Sequence, residues 1–357
     1  MSDLELLYTE VEEDLRSSVR DLLADRCDSD AVTRIYDGDR SLVDGLWKSL
    51  VDIGLAGLLV PEDRGGKGGS AREAAVVLEE LGRTAAPVPF LTSSVIAATA
   101  LLDSDSTLLE QLAAGERVAA LAVPWSIAPD VELPAVRLES GRLTGTITSV
   151  AGVIEADVLL VAAGSGLYAV DVSAVTVTPR VCLDMTRQLA DVSLDGVSGA
   201  LVLADAEPAV RRALDSGAAL MASEQLGLAR WCLETTVAYL KVRKQFGSVL
   251  GGFQALKHRL ADLYTDVESA AAAARYAAAT LAAGDRDATL AASIAQAYNS
   301  DLAVRAAEEA VQLHGGIGMT WEHPAHLYLK RAKADQIALG TPGRHRARLG
   351  ALVGLRA

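Results

Sequence analysis

The stretch Val242-Arg243-Lys244-Gln245-Phe246-Gly247-Ser248-Val249-Leu250-Gly251-Gly252-Phe253-Gln254 divides two long segments of helical period, and the architecture is read outward from it. A basic start and three glycines make a turn that neither helix can absorb, because glycine frees the backbone and weakens a helix interior. On either side, residues 209–242 and 254–283 carry apolar side chains at three- and four-residue spacing, and residues 289–313 and 335–353 repeat the pattern. Alanine runs at 270–274 and 277–279 favour helix and let helix axes approach closely. We expect a C-terminal helical bundle over 208–357. A second break, Gln312-Leu313-His314-Gly315-Gly316-Ile317-Gly318-Met319, ends another long segment with three glycines that let backbone approach a ligand or merely stop the helix.

Further upstream the period changes. Short β-prone runs at 118–123, 143–150, 158–163, 167–172, 175–177 and 192–194 are parted by Gly, Pro, Asp and Ser, the rhythm of an antiparallel barrel or sandwich. A β domain is expected over 118–207. Before it, residues 11–23, 42–53 and 74–81 return to helical spacing, punctuated by Pro61-Glu62-Asp63-Arg64-Gly65-Gly66 and by Pro87 and Pro89. The first domain, 1–117, is expected to be helical, so the fold class is mainly α with a central β domain.

Composition removes several function classes. Half of the 357 residues are hydrophobic and the net charge is -14, which suits a large buried core and repels phosphate backbones, so no nucleic-acid partner is expected. Cys27, Cys182 and Cys232 are far apart and lack metal spacing; they read as small core residues in a reducing compartment. Residues 1–13 are acidic where an export signal is basic and then apolar, and the apolar run 153–172 is broken by Glu155, Asp157 and glycines. A cytoplasmic protein without a membrane span is expected. The histidines are scattered, His314 reads as structural rather than as a general base, and no Walker loop, HExxH, GxSxG or strand-linked GxGxxG occurs.

The joint order of these features resembles the acyl-CoA dehydrogenases along essentially the whole chain. Gly54-Leu55-Ala56-Gly57-Leu58-Leu59-Val60-Pro61-Glu62 and Glu79-Glu80-Leu81-Gly82 are similar to that family's N-terminal domain, and Asp184-Met185-Thr186-Arg187 to the end of its β domain. Arg243-Lys244-Gln245-Phe246-Gly247 and Gln312-Leu313-His314-Gly315-Gly316 are similar to its most specific signatures. The resemblance implies a helical domain, a β domain and a four-helix C-terminal bundle, FAD shared at a subunit interface, an acyl-CoA substrate and electron-transfer flavoprotein as acceptor. It also implies that Arg243, Phe246, Gln312, Gly315 and Gly316 reach a neighbouring subunit's FAD, with Ser149 and Thr341 as further cofactor contacts. Arginine suits a pyrophosphate and glycine permits close backbone contact.

The resemblance breaks where the chemistry should be. The family removes an α-proton with a glutamate while hydride passes to the flavin, a step that needs a well-placed carboxylate. Many members place that glutamate before Gly-Thr, where this chain has Leu339 before Gly340-Thr341; a minority place it where this chain has Gly217, followed by Ala218. No catalytic residue is identified, and Glu224, two turns beyond Gly217, is the one nearby substitute. The flavin wall departs as well: Ala122-Val123-Pro124-Trp125-Ser126-Ile127-Ala128-Pro129-Asp130 stands for the family's Thr-Glu-Pro and Gly-Ser-Asp loop, and Ile147-Thr148-Ser149 for Trp-Ile-Thr. The leading expectation is therefore the non-catalytic chain of a heterotetramer, similar to actinobacterial steroid-degrading members that pair it with a homologous catalytic acyl-CoA dehydrogenase subunit. A homomeric dehydrogenase with a relocated base and a flavin-free scaffold are the alternatives.

Overall fold

A computed structural model describes residues 4–355. The first three residues of the acidic N-terminal stretch and the last two of the C-terminal segment lie outside the described residues. The N-terminal part is helical: α1 (Glu10–Arg26), α2 (Ser29–Arg34), α3 (Ser41–Asp52), α4 (Ala71–Arg83), α5 (Ala98–Leu101) and α6 (Leu108–Ala113). Two of these start with capping boxes. The Thr9 hydroxyl accepts from the Glu12 amide while the Glu12 carboxylate accepts from the Thr9 amide, and Ser70 with Glu73 repeats the arrangement at α4. Between Pro89 and α5 the chain forms a fully buried π-helix, Phe90–Ala97, whose burial on every face conceals it from any period test.

The middle part is a sandwich of two four-stranded sheets. One runs β1 (Ala119–Leu121), β4 (Val158–Ala163), β5 (Gly166–Asp171), β8 (Ala200–Leu203); the other runs β2 (Arg137–Glu139), β3 (Arg142–Ala151), β7 (Leu189–Ser198), β6 (Thr176–Pro179). Leu143, Ile147 and Val192 from one sheet meet Leu159, Val161 and Val170 from the other in a closed apolar core. The pairing is antiparallel except between β1 and β4, which run parallel. The apolar run 153–172 is thus largely the β4–β5 hairpin, and among the described residues no helix is long and apolar enough to cross a membrane.

The C-terminal part contains α7 (Ala206–Val242), a two-residue-strand hairpin β9 (Lys244–Gln245) and β10 (Ser248–Val249), then α8 (Gln254–Ala282), α9 (Ala288–His314), α10 (Ala325–Ile337) and α11 (Pro342–Leu352). Helices α4 and α7 touch backbone to backbone: a Cβ on Gly227 would stand 2.0 Å from the Glu79 carbonyl oxygen, and one on Gly82 2.1 Å from that of Glu224. One expectation needs correction. Residues 335–353 are not one helical segment, because Leu339 and Gly340 take φ of +51° and +101°, the Leu339 amide donates to the Trp125 carbonyl at 2.8 Å, and Thr341 with Pro342 starts α11 afresh. That break ties the bundle to the β domain, and the candidate site lies along this seam.

Candidate functional site

The two positions where the family's base was sought come together in space. A Cβ on Gly217 would stand 2.9 Å from Ile96 Cδ1 and 3.1 Å from Leu339 Cδ1, so α7, the π-helix and the α10–α11 break converge on one point. No carboxylate is there. Thr92, Ile96, Leu121, Trp125, Leu214 and Leu339 close around it and leave about 10 Å³, barely the space of one water. Leu339 itself is fully buried and sits at a positive φ that side chains other than glycine rarely adopt. Five described non-glycine residues have positive φ, and three of them are sequence-derived site positions: Ser149, Phe246 and Leu339. Such strain persists where surrounding structure over-determines it, often at functional sites.

Trp125 is the wall between this filled point and an open cleft. Its indole lines both, and the Arg187 guanidinium lies 5.4 Å from its ring centroid. The cleft, about 370 Å³, runs between the β domain and α10 past Ser149, Asp191, Arg180, Lys333 and Ile337. Its charged side chains and the Ser149 backbone already have partners. The Ser149 amide donates to Asp191 Oδ1 at 3.0 Å, its carbonyl accepts from the Trp125 amide, Asp191 pairs with Arg180, and Lys333 with Glu308 at 2.8 Å. A flavin entering here meets a carboxylate already occupying the Ser149 amide, so this cleft fits the group poorly. Thr341 lies on the same seam, its hydroxyl accepting from the Arg344 amide as the cap of α11.

Behind the cleft lies a buried ionic cluster. Arg331 pairs ionically with Asp184 and donates to Glu224, each at 2.6 Å, and Arg187 donates to Glu224 at 2.7 Å and to Asp335 at 2.9 Å. Burial alone would raise the Glu224 carboxyl, but the Arg187 and Arg331 guanidiniums hold it down at about 2. A carboxylate so stabilised is a poor acceptor for a weakly acidic α-proton. Glu224 is therefore an anchor joining α7 to α10 and the β domain, and the relocated-base role finds no support in its surroundings. Asp335 behaves oppositely: burial and the neighbouring Glu224 charge push its pKa well above the carboxylate range, and Oδ2 has no partner. Two guanidiniums then face two carboxylates and one neutral acid.

The remaining sequence-derived residues gather elsewhere. The Arg243 amide donates to the Tyr239 carbonyl at 2.9 Å; the Tyr239 hydroxyl reaches the His314 carbonyl at 3.5 Å, and its ring stacks on the His314 imidazole at 4.5 Å. Tyr239 thereby brings the Arg243–Gly247 turn and the Gln312–Gly316 turn to one end of the bundle. Arg243, Gln312, Gly315 and Gly316 are exposed there, and Phe246 is 89% exposed. Among the described residues, neither Arg243 nor Gln312 spends its side chain on an ion pair or hydrogen bond. Unspent cation, amide and glycine backbone fit a pyrophosphate-bearing group. Sequence reasoning missed Trp125 as a wall, Asp191 as a plug of the Ser149 amide, and the Arg331–Asp335 half of the cluster; only Trp125 carried a signal, an aromatic inside the departing loop.

The acyl-CoA dehydrogenase N-terminal domain family matches residues 9–116 and the acyl-CoA dehydrogenase C-terminal domain family matches residues 208–353. The protein is 37% identical over 97% of its length to the acyl-CoA dehydrogenase IpdE2 of Mycolicibacterium smegmatis, covering 99% of that protein. The chain belongs to the acyl-CoA dehydrogenase family. Family membership makes it a relative of FAD-binding oxidoreductases. IpdE2 of Mycobacterium tuberculosis is 35% identical over 92% of each chain. Among solved structures, the ChsE4-ChsE5 complex from Mycobacterium tuberculosis superposes with a TM-score of 0.88 at 27% identity, covering 99% of this chain and all of that one. A variant of the steroid ACAD Tcur3481-Tcur3483 superposes at 0.85 with 29% identity, covering 97% and 98%.

Proposed function

We propose that this acyl-CoA dehydrogenase-family chain is the non-catalytic member of a two-subunit enzyme, lending Arg243, Phe246, Gln312, Gly315 and Gly316 to an FAD held chiefly by a homologous catalytic subunit. One contrast carries the reading. The residues that would serve this chain's own active site are filled or internally spent, whereas those that would serve a neighbour are exposed and unspent. An acyl chain has nowhere to go beside Leu339, and no carboxylate stands there to take its α-proton. In the partner's site, Arg243 would neutralise the pyrophosphate, Gly315 and Gly316 would admit it close to backbone, and Gln312 would supply a neutral hydrogen-bonding amide. FAD, when bound, supplies the two-electron acceptor for α,β-dehydrogenation of an acyl-CoA thioester, with electron-transfer flavoprotein as the onward acceptor in the cytoplasm.

A steroid-derived thioester is the substrate class we favour, because one of the matching solved structures is named a steroid ACAD. The self-sufficient alternative loses ground to the two guanidiniums on Glu224, and the flavin-free scaffold to the unspent Arg243 and Gln312. The reading is tested by co-producing the chain with a homologous subunit that has the catalytic glutamate, then changing Arg243→Ala. Loss of a charge-assisted contact worth about 1.5–3 kcal/mol should weaken flavin retention roughly tenfold or more. Unchanged flavin affinity in Arg243→Ala and in Gln312→Ala would sink the proposal.

A further inference from the structure

Three of the five histidines gather where the Gly315–Gly316 turn leaves the bundle. His314 and His323 bracket residues 315–322, and their rings touch at 4.1 Å between centroids, tilted 40° to each other. Tyr239 of α7 stacks on His314 from the other side, while Trp231 of α7, stacked on Tyr328 of α10 at 3.5 Å, stands 6.5 Å from His323. The far end of the loop is pinned separately, by Trp321 against Tyr36 and His326 and beneath the Lys330 ammonium.

The hydrogen bonds fix where the protons are. His314 Nδ1 lies 2.7 Å from the Ala310 carbonyl, which only accepts, so Nδ1 carries the hydrogen and the buried Nε2 is an unpartnered lone pair. His323 Nδ1 accepts from the Ala325 amide at 3.2 Å at the start of α10, so its hydrogen is on Nε2. Both rings are neutral, and a proton on either has a specific cost. On His314 it creates a buried N–H with no acceptor; on His323 it turns an acceptor into a donor aimed at the Ala325 N–H.

We propose that His314 and His323 are a pH-sensitive clasp on the loop 315–322: neutral and in ring contact they hold it closed, and protonation of either ring releases it. The charged neighbours do not rescue the protonated form. From α9, Glu308 pairs with Lys333 and Glu309 with Arg259; from α10, Lys330 adds positive charge, and His326, whose pKa burial and the Lys330 ammonium push down to about 4, stays neutral; Glu322 beside His323 is exposed. Burial lowers the pKa of both rings, and the His314 charge lowers that of His323 further. A lowered folded pKa means that the open loop binds protons more readily, so closure is lost as the pH falls below the ordinary histidine value near 6.5. The consequence for flavin exchange rests on the proposed function, since this loop carries Gly315 and Gly316. The clasp itself does not.

The test is amide hydrogen exchange of residues 315–322 in the full chain, or in its complex with the catalytic subunit, corrected for intrinsic rates. Between about pH 7.5 and about pH 5 the loop should lose protection roughly tenfold or more, one proton's worth of opening. His323→Gln, whose side-chain oxygen can still accept from the Ala325 amide, and His314→Phe, which keeps the stack, should each reduce that pH response. Equal protection of the unmodified chain at both pH values overturns the clasp, as does an undiminished response in both variants. Because the readout is loop order and not flavin, failure here leaves the subunit assignment intact.

Discussion

Asp335 carries the sharpest consequence at the scale of single residues. Three buried carboxyl groups share two guanidiniums, and the odd one stays protonated because ionising it would place an uncompensated charge in low dielectric. Its folded pKa is raised, so its favourable contribution is present below the unfolded value near 3.8 and is lost as the pH rises through the folded one. Asparagine offers the same acceptor to Arg187 and needs no proton. Chemical denaturation between pH 5 and 7 should therefore show Asp335→Asn gaining on the unmodified chain by up to about 1.4 kcal/mol per pH unit. Parallel curves would mean that Asp335 is ionised in the fold. Little of this was legible beforehand. Asp184 and Arg187 stood out only as a family motif, and their partners Glu224, Arg331 and Asp335 lie 37 to 148 residues away, a separation that no local pattern encodes. Glu224 was singled out for its place on the helix face, yet its role depends on two arginines that helical geometry could not supply.

At the scale of elements, the decisive piece is the break between α10 and α11. Its apolar spacing reads as continuous helix, but Gly340 at positive φ, the Thr341-Pro342 start of α11 and the tertiary bond from the Leu339 amide to Trp125 together make it turn. Helices α1 and α3 were legible because each buries one stripe, whereas α4, buried throughout from Ala74 to Gly82, was legible only from its apolar spacing. The π-helix Phe90–Ala97 was not, because every face is buried and periodicity vanishes. β2 is exposed at all three residues and likewise leaves no alternation to read. Restoring the family's carboxylate at the break should fail. In Leu339→Glu the new group would be buried among Ile96, Trp125 and Leu214 without a partner, costing about 2–4 kcal/mol, more as the pH rises and the group must ionise. Denaturant titration with an acyl-CoA dehydrogenation assay checks this; a stable variant that gains activity would show that the site is open after all.

At the scale of the whole molecule, the three-part order of helical, β and helical domains was legible because the period changes twice, near residues 118 and 208, and the family motifs lie in register with those changes. The two cofactor-related regions were not equally legible. Arg243, Phe246, Gln312, Gly315 and Gly316 form contiguous motifs, so sequence showed them together. The filled point beside Leu339 draws its residues from the π-helix, β1, Trp125, α7 and the α10–α11 break, which only the fold assembles. Nor could residue identity alone show that the Ser149 amide is already taken by Asp191.

The measurement that bears most directly on the account is the flavin content and acyl-CoA response of the purified chain, alone and then with a homologous catalytic subunit. A chain that is colourless and inert alone, and yellow and active only in a mixed complex with one flavin per pair of unlike subunits, is the predicted result. A chain that is yellow by itself and whose flavin bleaches when acyl-CoA is added would contradict it.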